Sequence, residues 1–486
     1  MASEDLRSSG DFVERHALWD DAARACADEL LARIDAGEFD TLRFAFVDQH
    51  GVLRGKTVLA EAAREMLLGG CGVASTLLLK DLSHRTVYPV WSESAEVISG
   101  LRGASDLWMA ADPATWKALP WSPRSAWVLC DLYFQDGRPV HFSTREVARR
   151  ALARLASAGF SYWAGLEIEF HIFKLDDERL ALADSGQPGA PPSVSLLTQG
   201  FQYLTDARFD QLEPALDIVR ETCLRLDLPL RTLEVEFGPS QAELTLQPLE
   251  GLKFADSTVL MRAAIKQACR RAGYHVTFMC RPHLNNMMSS GWHLHQSLRR
   301  LGDGANAFAP DSDKAALSPV GGSFAAGLLR HASASCMLTT PTINGYKRYR
   351  PYSLAPDRIS CGRDNRAAML RVISAPRSPA SRIENRVGEP AANPYLYIAS
   401  QILSGLDGLT RAAPPPSMTD APYESDAQRL PRHLPEALRA FAGSDFYREA
   451  LGEDFVRYLT TIKQAELDRF FQDVTDWEQR EYFDVF

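Results

Sequence analysis

GLEIEF, residues 165–170, sets Glu167 and Glu169 two positions apart among apolar neighbours. Side chains two apart on a strand point to the same face, so both carboxylates look the same way. The pattern recurs downstream. EVEFGPSQAE (234–243) pairs Glu234 with Glu236 and adds Glu243. GWHLHQSL (291–298) pairs His293 with His295, and SRIENR (381–386) pairs Glu384 with Arg386. Several strands that each turn two polar groups inward describe a charged cavity. Massed carboxylates repel and resist desolvation unless cations neutralise them. Glu167, Glu169, Glu236, Glu243, His293 and Glu384 offer five carboxylates and one imidazole, a donor set suited to two or three Mg²⁺ or Mn²⁺ ions.

The bulk properties fit a soluble enzyme. The chain has 486 residues, room for a large catalytic domain with a smaller partner. A net charge of −9 argues against non-specific nucleic-acid binding. The eight cysteines are scattered, with no C-x-x-C pair to suggest a zinc knuckle or a disulfide framework. The N-terminal MASEDLRSSG lacks the apolar core of a secretion signal, and no apolar run is long enough to span a bilayer. The cytoplasm is the expected compartment.

Along the chain, ALWDDAARACADELLARIDAG predicts a helix ending at Gly37. Alternating residues on either side of Asp48-Gln49-His50-Gly51 predict a hairpin. A strand-rich stretch runs from Val73 to Val140, with a second hairpin turning at Asp136-Gly137. STREVARRALARLASAG (143–159) predicts a helix with a Ser143/Glu146 capping box. Residues 181–197 read as a flexible loop insertion, and 319–340 as one helix ending before Pro341. The domain boundary falls ahead of the 143–159 helix, giving domains 1–140 and 141–486.

The order of the motifs is informative beyond each one. An E-x-E strand is followed by Glu236–Glu243, then H-x-H-x-S, NGYKRYRP (344–351), DNRAAMLR (364–371) and RIENRVGEPAANPY (382–395). This series resembles the glutamine synthetase family, and VDQHGVLRGK resembles that family's small N-terminal domain. The resemblance implies an α+β fold: an N-terminal β-grasp domain and a glutamine-synthetase-type α/β catalytic domain with a curved antiparallel sheet. It implies a homo-oligomer of stacked hexameric rings, a dodecamer, with residues 73–91 lining a neighbour's site.

The resemblance also implies roles. Glu169, Glu236 and Glu243 would hold one ion, and Glu167, His293 and Glu384 another near the ATP phosphates. Glu169, Gly291, Arg348 and Arg386 would bind glutamate. Arg366, Arg371 and Arg382 would bind phosphates, with Arg366 catalytic, and His295 and Ser297 would line the nucleotide side. A guanidinium fork matches carboxylates and phosphates bidentately. ATP, as co-substrate, would convert glutamate to a γ-glutamyl phosphate, which an amine then attacks.

Three features leave the family pattern. The glutamate that helps deprotonate ammonium is replaced by Leu354, and the segment carrying the ammonium-binding aspartate reads GVASTLLLKDLS, with Asp81 nearby as a stand-in. The glycine-rich N-G-S-G before the histidine strand reads Met288-Ser289-Ser290-Gly291. An amine site stripped of ammonium-handling charge suits an organic amine. Relatives conjugate polyamines, ethanolamine, methylamine, isopropylamine or anilines. No added carboxylates near Leu354 call for a polyamine. Tyr352, with Tyr88, Trp91, Trp292, Tyr346 and Tyr349, favours an apolar or aromatic amine, aniline first. The alternatives are glutamine synthesis from ammonia and an inactive member with a structural role.

Overall fold

A computed structural model describes residues 11–91 and 101–486. Residues 1–10 and 92–100 lie outside the described residues, so the polar N-terminus and the middle of the 73–140 reading do too. The helix expected to end at Gly37, Asp21–Asp35, starts on Asp20, whose carboxylate accepts from the Ala23 N–H at 2.8 Å. It stops before Gly37, whose φ of +72° suits a residue without Cβ.

The N-terminal sheet has the strand order Leu53–Leu59, Thr41–Val47, Ser125–Tyr133, Asp106–Ala111, Cys71–Ala74. Its first hairpin turns at 48–52 as the sequence predicts, and Thr41–Val47 lies parallel to Ser125–Tyr133. At the second expected hairpin the return arm makes only a single bridge, Tyr133 to Pro139. The expected capping box is not formed. Ser143 caps no N–H, and Glu146 is drawn instead to Arg149 at 2.6 Å, where a full charge outcompetes a backbone amide.

The C-terminal domain is built on a ten-stranded sheet. Its main path runs Cys361–Arg363, Leu370–Ile373, Arg382–Asn385, Trp292–Arg300, Phe160–Asp177, Gln241–Leu246, Leu230–Val235. The first two of these strands pair in parallel, whereas the expectation was wholly antiparallel. The 181–197 insertion contributes a short strand, Ser193–Ser195, to this sheet. The expected 319–340 helix is two, Pro319–Arg330 and Ala332–Thr339, broken at His331. Asp407 holds the His331 ring at 2.8 Å, and Phe446 stacks on it at 3.7 Å.

Phe160–Asp177 shows why the site forms where it does. Tyr162, Ala164, Leu166, Ile168 and Phe170 are buried on one face, while Glu167 and Glu169 take the other. The apolar face packs toward the Leu252–Arg271 and Pro394–Thr410 helices, and Trp292 of the next strand meets Phe254 and Tyr397 there.

Arg145 ties the N-terminal sheet to the Leu252–Arg271 helix. Its guanidinium bonds Asp112 at 2.7 Å and Asp131 at 2.9 Å on the N-terminal side, and Asp256 at 2.9 Å on the C-terminal side. Arg149 adds a bond to Asp131 at 2.6 Å, and the Tyr395 hydroxyl one to Asp256 at 2.6 Å. Removing one partner of a buried ionic cluster strands the others. Arg145→Met is expected to lower unfolding stability by about 3–5 kcal/mol, measured by urea denaturation.

Candidate active site

Strand register, more than strand identity, assembles the site. Glu169 sits opposite Glu243, and Glu243 opposite Glu234. Glu167 sits opposite His293, His295 opposite Glu384, and Glu384 opposite Arg371. Directly paired residues share a face, so one side of the sheet carries a continuous row of charge. Ligand atoms of Glu167, His293 and Glu384 lie within 4.8 Å of one another, and so do those of Glu169, Glu243 and His293. Each trio could hold a divalent ion. The first is the expected set. In the second His293 takes the place expected of Glu236, whose carboxylate turns to the N–H of Phe237 at 3.0 Å. Glu236 nevertheless remains in the electrostatic field of Glu169.

A hydrogen-bond chain orders the middle of the row. Arg382 Nε donates to His295 Nδ1 at 3.0 Å, and His295 Nε2 donates to Glu167 at 2.8 Å. From the other side Arg348 donates to His293 Nε2 at 3.1 Å, and His293 Nδ1 donates to Glu167 at 2.6 Å. With Arg348 donating to Nε2, the His293 imidazole is neutral. Burial opposes ionisation of Glu167, but the two imidazole hydrogen bonds overcome it and hold its carboxyl well below the usual range. Burial, then Arg386, lowers His293.

The arginines are partly committed within the protein. Glu384, fully buried, is gripped by Arg386 and by Arg371 at 2.9 Å, and Arg371 also holds Asp364 at 2.6 Å. Arg386 Nε is buried without a partner, a donor left for a ligand anion. Arg348 spends donors on the Arg386 carbonyl, at 2.7 Å, and on His293. Gly291 permits this approach, since a Cβ there would lie 2.5 Å from Arg348 Nη2. Arg366 is exposed and acts on the Tyr203 hydroxyl, which burial and then Glu236 push up to about 12. Ser297 lies two residues beyond His295 on the same face, opposite Trp163.

The aromatic residues divide. Trp292, Tyr346 and Tyr88 are buried, and Trp292 faces away from His293, so none of these three forms an amine pocket. Tyr349 anchors its loop by donating to the Val387 carbonyl at 2.8 Å. Trp91 is exposed. Tyr352 and Leu354 are both exposed, at φ of +59° and +57°, on a loop whose Leu354 carbonyl accepts from Arg386 at 3.3 Å. Non-glycine residues rarely adopt such angles, so this loop is held in place rather than relaxed. Asp81 does not stand free to bind a cation. It is buried and ion-paired with Arg469, and it accepts from the Arg85 N–H at 2.8 Å.

Three positions, one of them a Ser290–His171 pair, were given no role by the sequence. Gln241 Nε2 donates to Glu169 at 3.2 Å and to Ser290 Oγ at 2.9 Å. Ser290 lies 3.3 Å from His171, which burial drives down to about 3 and so keeps neutral. Glu389, buried and raised to about 7 chiefly by that burial, accepts from the Thr342 N–H and hydroxyl, both at 2.7 Å. All three sit beside expected residues and become visible only through register and turn geometry.

The donor set fits divalent cations on its energetics. Burial first, then neighbouring carboxylates, pushes Glu243 up to about 11 and Glu236 to about 8. A carboxyl raised in the fold contributes stability below its unfolded value of 4.5, and that contribution is lost as pH rises through the folded values. A bound cation replaces the proton and removes the loss. Between about pH 6 and about pH 9 the metal-free protein should lose thermal stability. The rise in melting temperature on adding Mn²⁺ should grow over the same range, and Glu243→Gln should flatten both curves in scanning calorimetry.

Comparison with known proteins follows the same lines. The profile of the glutamine synthetase catalytic domain matches residues 141–482. The chain is 40% identical to gamma-glutamylanilide synthase of an Acinetobacter species, covering 98% of this chain and 99% of the relative. It is 33% identical to a gamma-glutamylethanolamide synthetase of Streptomyces coelicolor, covering 94% and 95%. It is 30% identical to a glutamate–isopropylamine ligase of a Pseudomonas species, covering 93% and 96%. A solved GmaS/ADP complex superposes with a TM-score of 0.78 at 25% identity, covering 94% of this chain and 99% of that one.

Proposed function

The chain belongs to the glutamine synthetase family, and on that premise we propose that it joins the γ-carboxylate of L-glutamate to an apolar organic amine, aniline first. It is an ATP-dependent glutamate–amine ligase. The observation that carries the choice of amine is a contrast. The carboxylates and histidine of two cation-sized trios come together, while Leu354 stands where the family resemblance expects the ammonium-handling glutamate and Asp81 is already paired.

The reaction has two steps. A γ-carboxylate oxygen of glutamate attacks the γ-phosphorus of ATP, and ADP leaves. The amine nitrogen then attacks the acyl carbon, inorganic phosphate leaves, and the nitrogen loses a proton. Glu169, Glu243 and Glu236, and Glu167, His293 and Glu384, would hold Mg²⁺ or Mn²⁺, which supplies neutralising charge at the phosphates. The protein's own groups do the positioning. Arg386 offers its free Nε to an anionic oxygen, and Arg348 fixes His293 from behind while Gly291 gives it room. Arg366, at the mouth, suits the transferring phosphoryl group, while Arg371 and Arg382 flank the nucleotide side with His295 and Ser297.

Anilines arrive uncharged near neutral pH and need no carboxylate to strip a proton. An apolar contact at Leu354 and Tyr352 also favours them, by roughly 25 cal/mol per Å² buried. We read the N-terminal sheet as a β-grasp, the two domains as 1–140 and 141–486, the assembly as stacked hexameric rings and the compartment as the cytoplasm.

The test is ADP release and γ-glutamyl product mass with ATP, glutamate and a panel of ammonia, ethylamine, ethanolamine, putrescine and aniline. Aniline is expected to give the highest kcat/KM and ammonia the lowest. Turnover with ammonia alone, or with no amine, refutes the reading. Leu354→Glu is expected to raise ammonia-dependent kcat/KM about tenfold and lower that for aniline by a similar factor, each worth about 1.4 kcal/mol of transition-state stabilisation.

A further inference from the structure

A cavity of about 440 Å³ lies at the domain seam, between the 48–52 hairpin turn and the Leu252–Arg271 helix. That volume accommodates a metabolite-sized ligand. None of the carboxylates or histidines of the metal row lines it. Its walls are largely apolar, with Phe278 and Met337 among them. Its charged lining groups, Arg262, Lys266 and Lys463, are all basic, with no carboxylate among the lining residues.

Arg262 is buried and donates to the carbonyls of Pro390 and Ala392, each at 2.8 Å, and of Gly51 at 3.2 Å. These are neutral acceptors. Among the described residues no carboxylate pairs with Arg262, and burial lowers it to about 10. Lys266, one turn further along the helix and exposed at the rim, has no acidic partner among the described residues either. Lys463 on the facing wall is different, being paired with Glu466 at 2.9 Å. Two positive charges therefore face this space without compensation. Opposite them Gln49 spends its Nε2 on the Lys80 carbonyl at 2.6 Å, and its Oε1 is buried with no partner. A buried amide oxygen left in this state costs free energy that a ligand donor would recover.

We propose that this cavity binds a small amphipathic carboxylate that also carries an N–H or O–H donor. The carboxylate sits toward Arg262 and Lys266, the donor meets Gln49 Oε1, and the apolar body lies along Phe278 and Met337. An uncharged aromatic satisfies only the last of these, and an inorganic anion only the first. The combination selects an acylated or arylated amino acid or an aromatic hydroxy acid.

Hippurate, with a carboxylate, an amide N–H and a phenyl ring, is the probe. Calorimetric titration uses the full chain with ADP, Mg²⁺ and glutamate present at saturation, so that the catalytic site is filled. Saturable binding of one hippurate per chain is expected, with benzamide and acetate each at least about tenfold weaker. Lys266→Met, at the exposed rim, should weaken hippurate about tenfold, and Ala263→Phe, which fills the cavity, should abolish its binding. Both variants should retain wild-type amine ligation. No saturable hippurate binding overturns the proposal. So does binding that both variants leave unchanged, or binding seen only when glutamate and ADP are omitted.

Discussion

Mutual repulsion of carboxylates on one face of a sheet is the constraint around which this protein is arranged. Glu169 and Glu243 face each other across adjacent strands, with ligand atoms within 4.8 Å. At an effective dielectric near 20 two such charges repel by roughly 3–4 kcal/mol. Glu234, Glu236, Glu167 and Glu384 extend the row. The chain's own partners alone do not balance it, because they gather at one end. Arg371 and Arg386 secure Glu384, and the two imidazoles secure Glu167. Among the described residues no cationic group pairs with Glu243 or Glu236 at the far end, and burial first, then neighbouring carboxylates, drives both toward the protonated form. The uneven distribution makes divalent ions part of the site's electrostatics.

The rest of the fold keeps that face rigid enough to hold like charges together. Each strand that presents a carboxylate or histidine on one side buries an apolar ridge on the other, so the residues cannot swing apart without exposing core. Gln241, Ser290 and neutral His171 form a polar brace behind Glu169. Glu389 ties Thr342, and with it the start of the 342–349 turn that carries Arg348, to the backbone just after Arg386. The brace and the tie act on position rather than charge, and they explain why buried polar groups persist away from the cation sites.

Most of the site was legible because the two-residue period is a property of sequence. E-x-E, H-x-H and E-x-R each declare which side chains travel together, and the structure brings them to one face. What the period does not convey is register, which decides that Glu243 meets Glu169 and that His293 reaches both trios. Turn geometry was also hidden: Glu236 follows the end of its strand, and its carboxylate bends to the Phe237 amide. The aromatic residues misled for a related reason. A tyrosine or tryptophan in a motif has the same letter whether it faces substrate or core, and Trp292 alternates with His293 onto the buried side. The capping box failed because Glu146 pairs with Arg149, three residues on in the same helix, a local competitor that the capping pattern alone does not weigh.

The amine side of the site follows from what the carboxylate row leaves undone. A charged ammonium must be desolvated and deprotonated before it attacks, and both needs call for an acidic group near the reacting carbon. The loop at 350–356 offers none. It presents Leu354 and Tyr352 at positive φ, fixed by the Arg386 bond to the Leu354 carbonyl and by Tyr423, whose ring lies 5.1 Å from that of Tyr352 and whose hydroxyl donates to the Ala355 carbonyl at 3.0 Å. Arg386 therefore touches both the buried Glu384 and the backbone of the apolar loop. One guanidinium thus links the buried end of the charged row to the backbone of the exposed loop, so a displacement of Arg386 is felt at both.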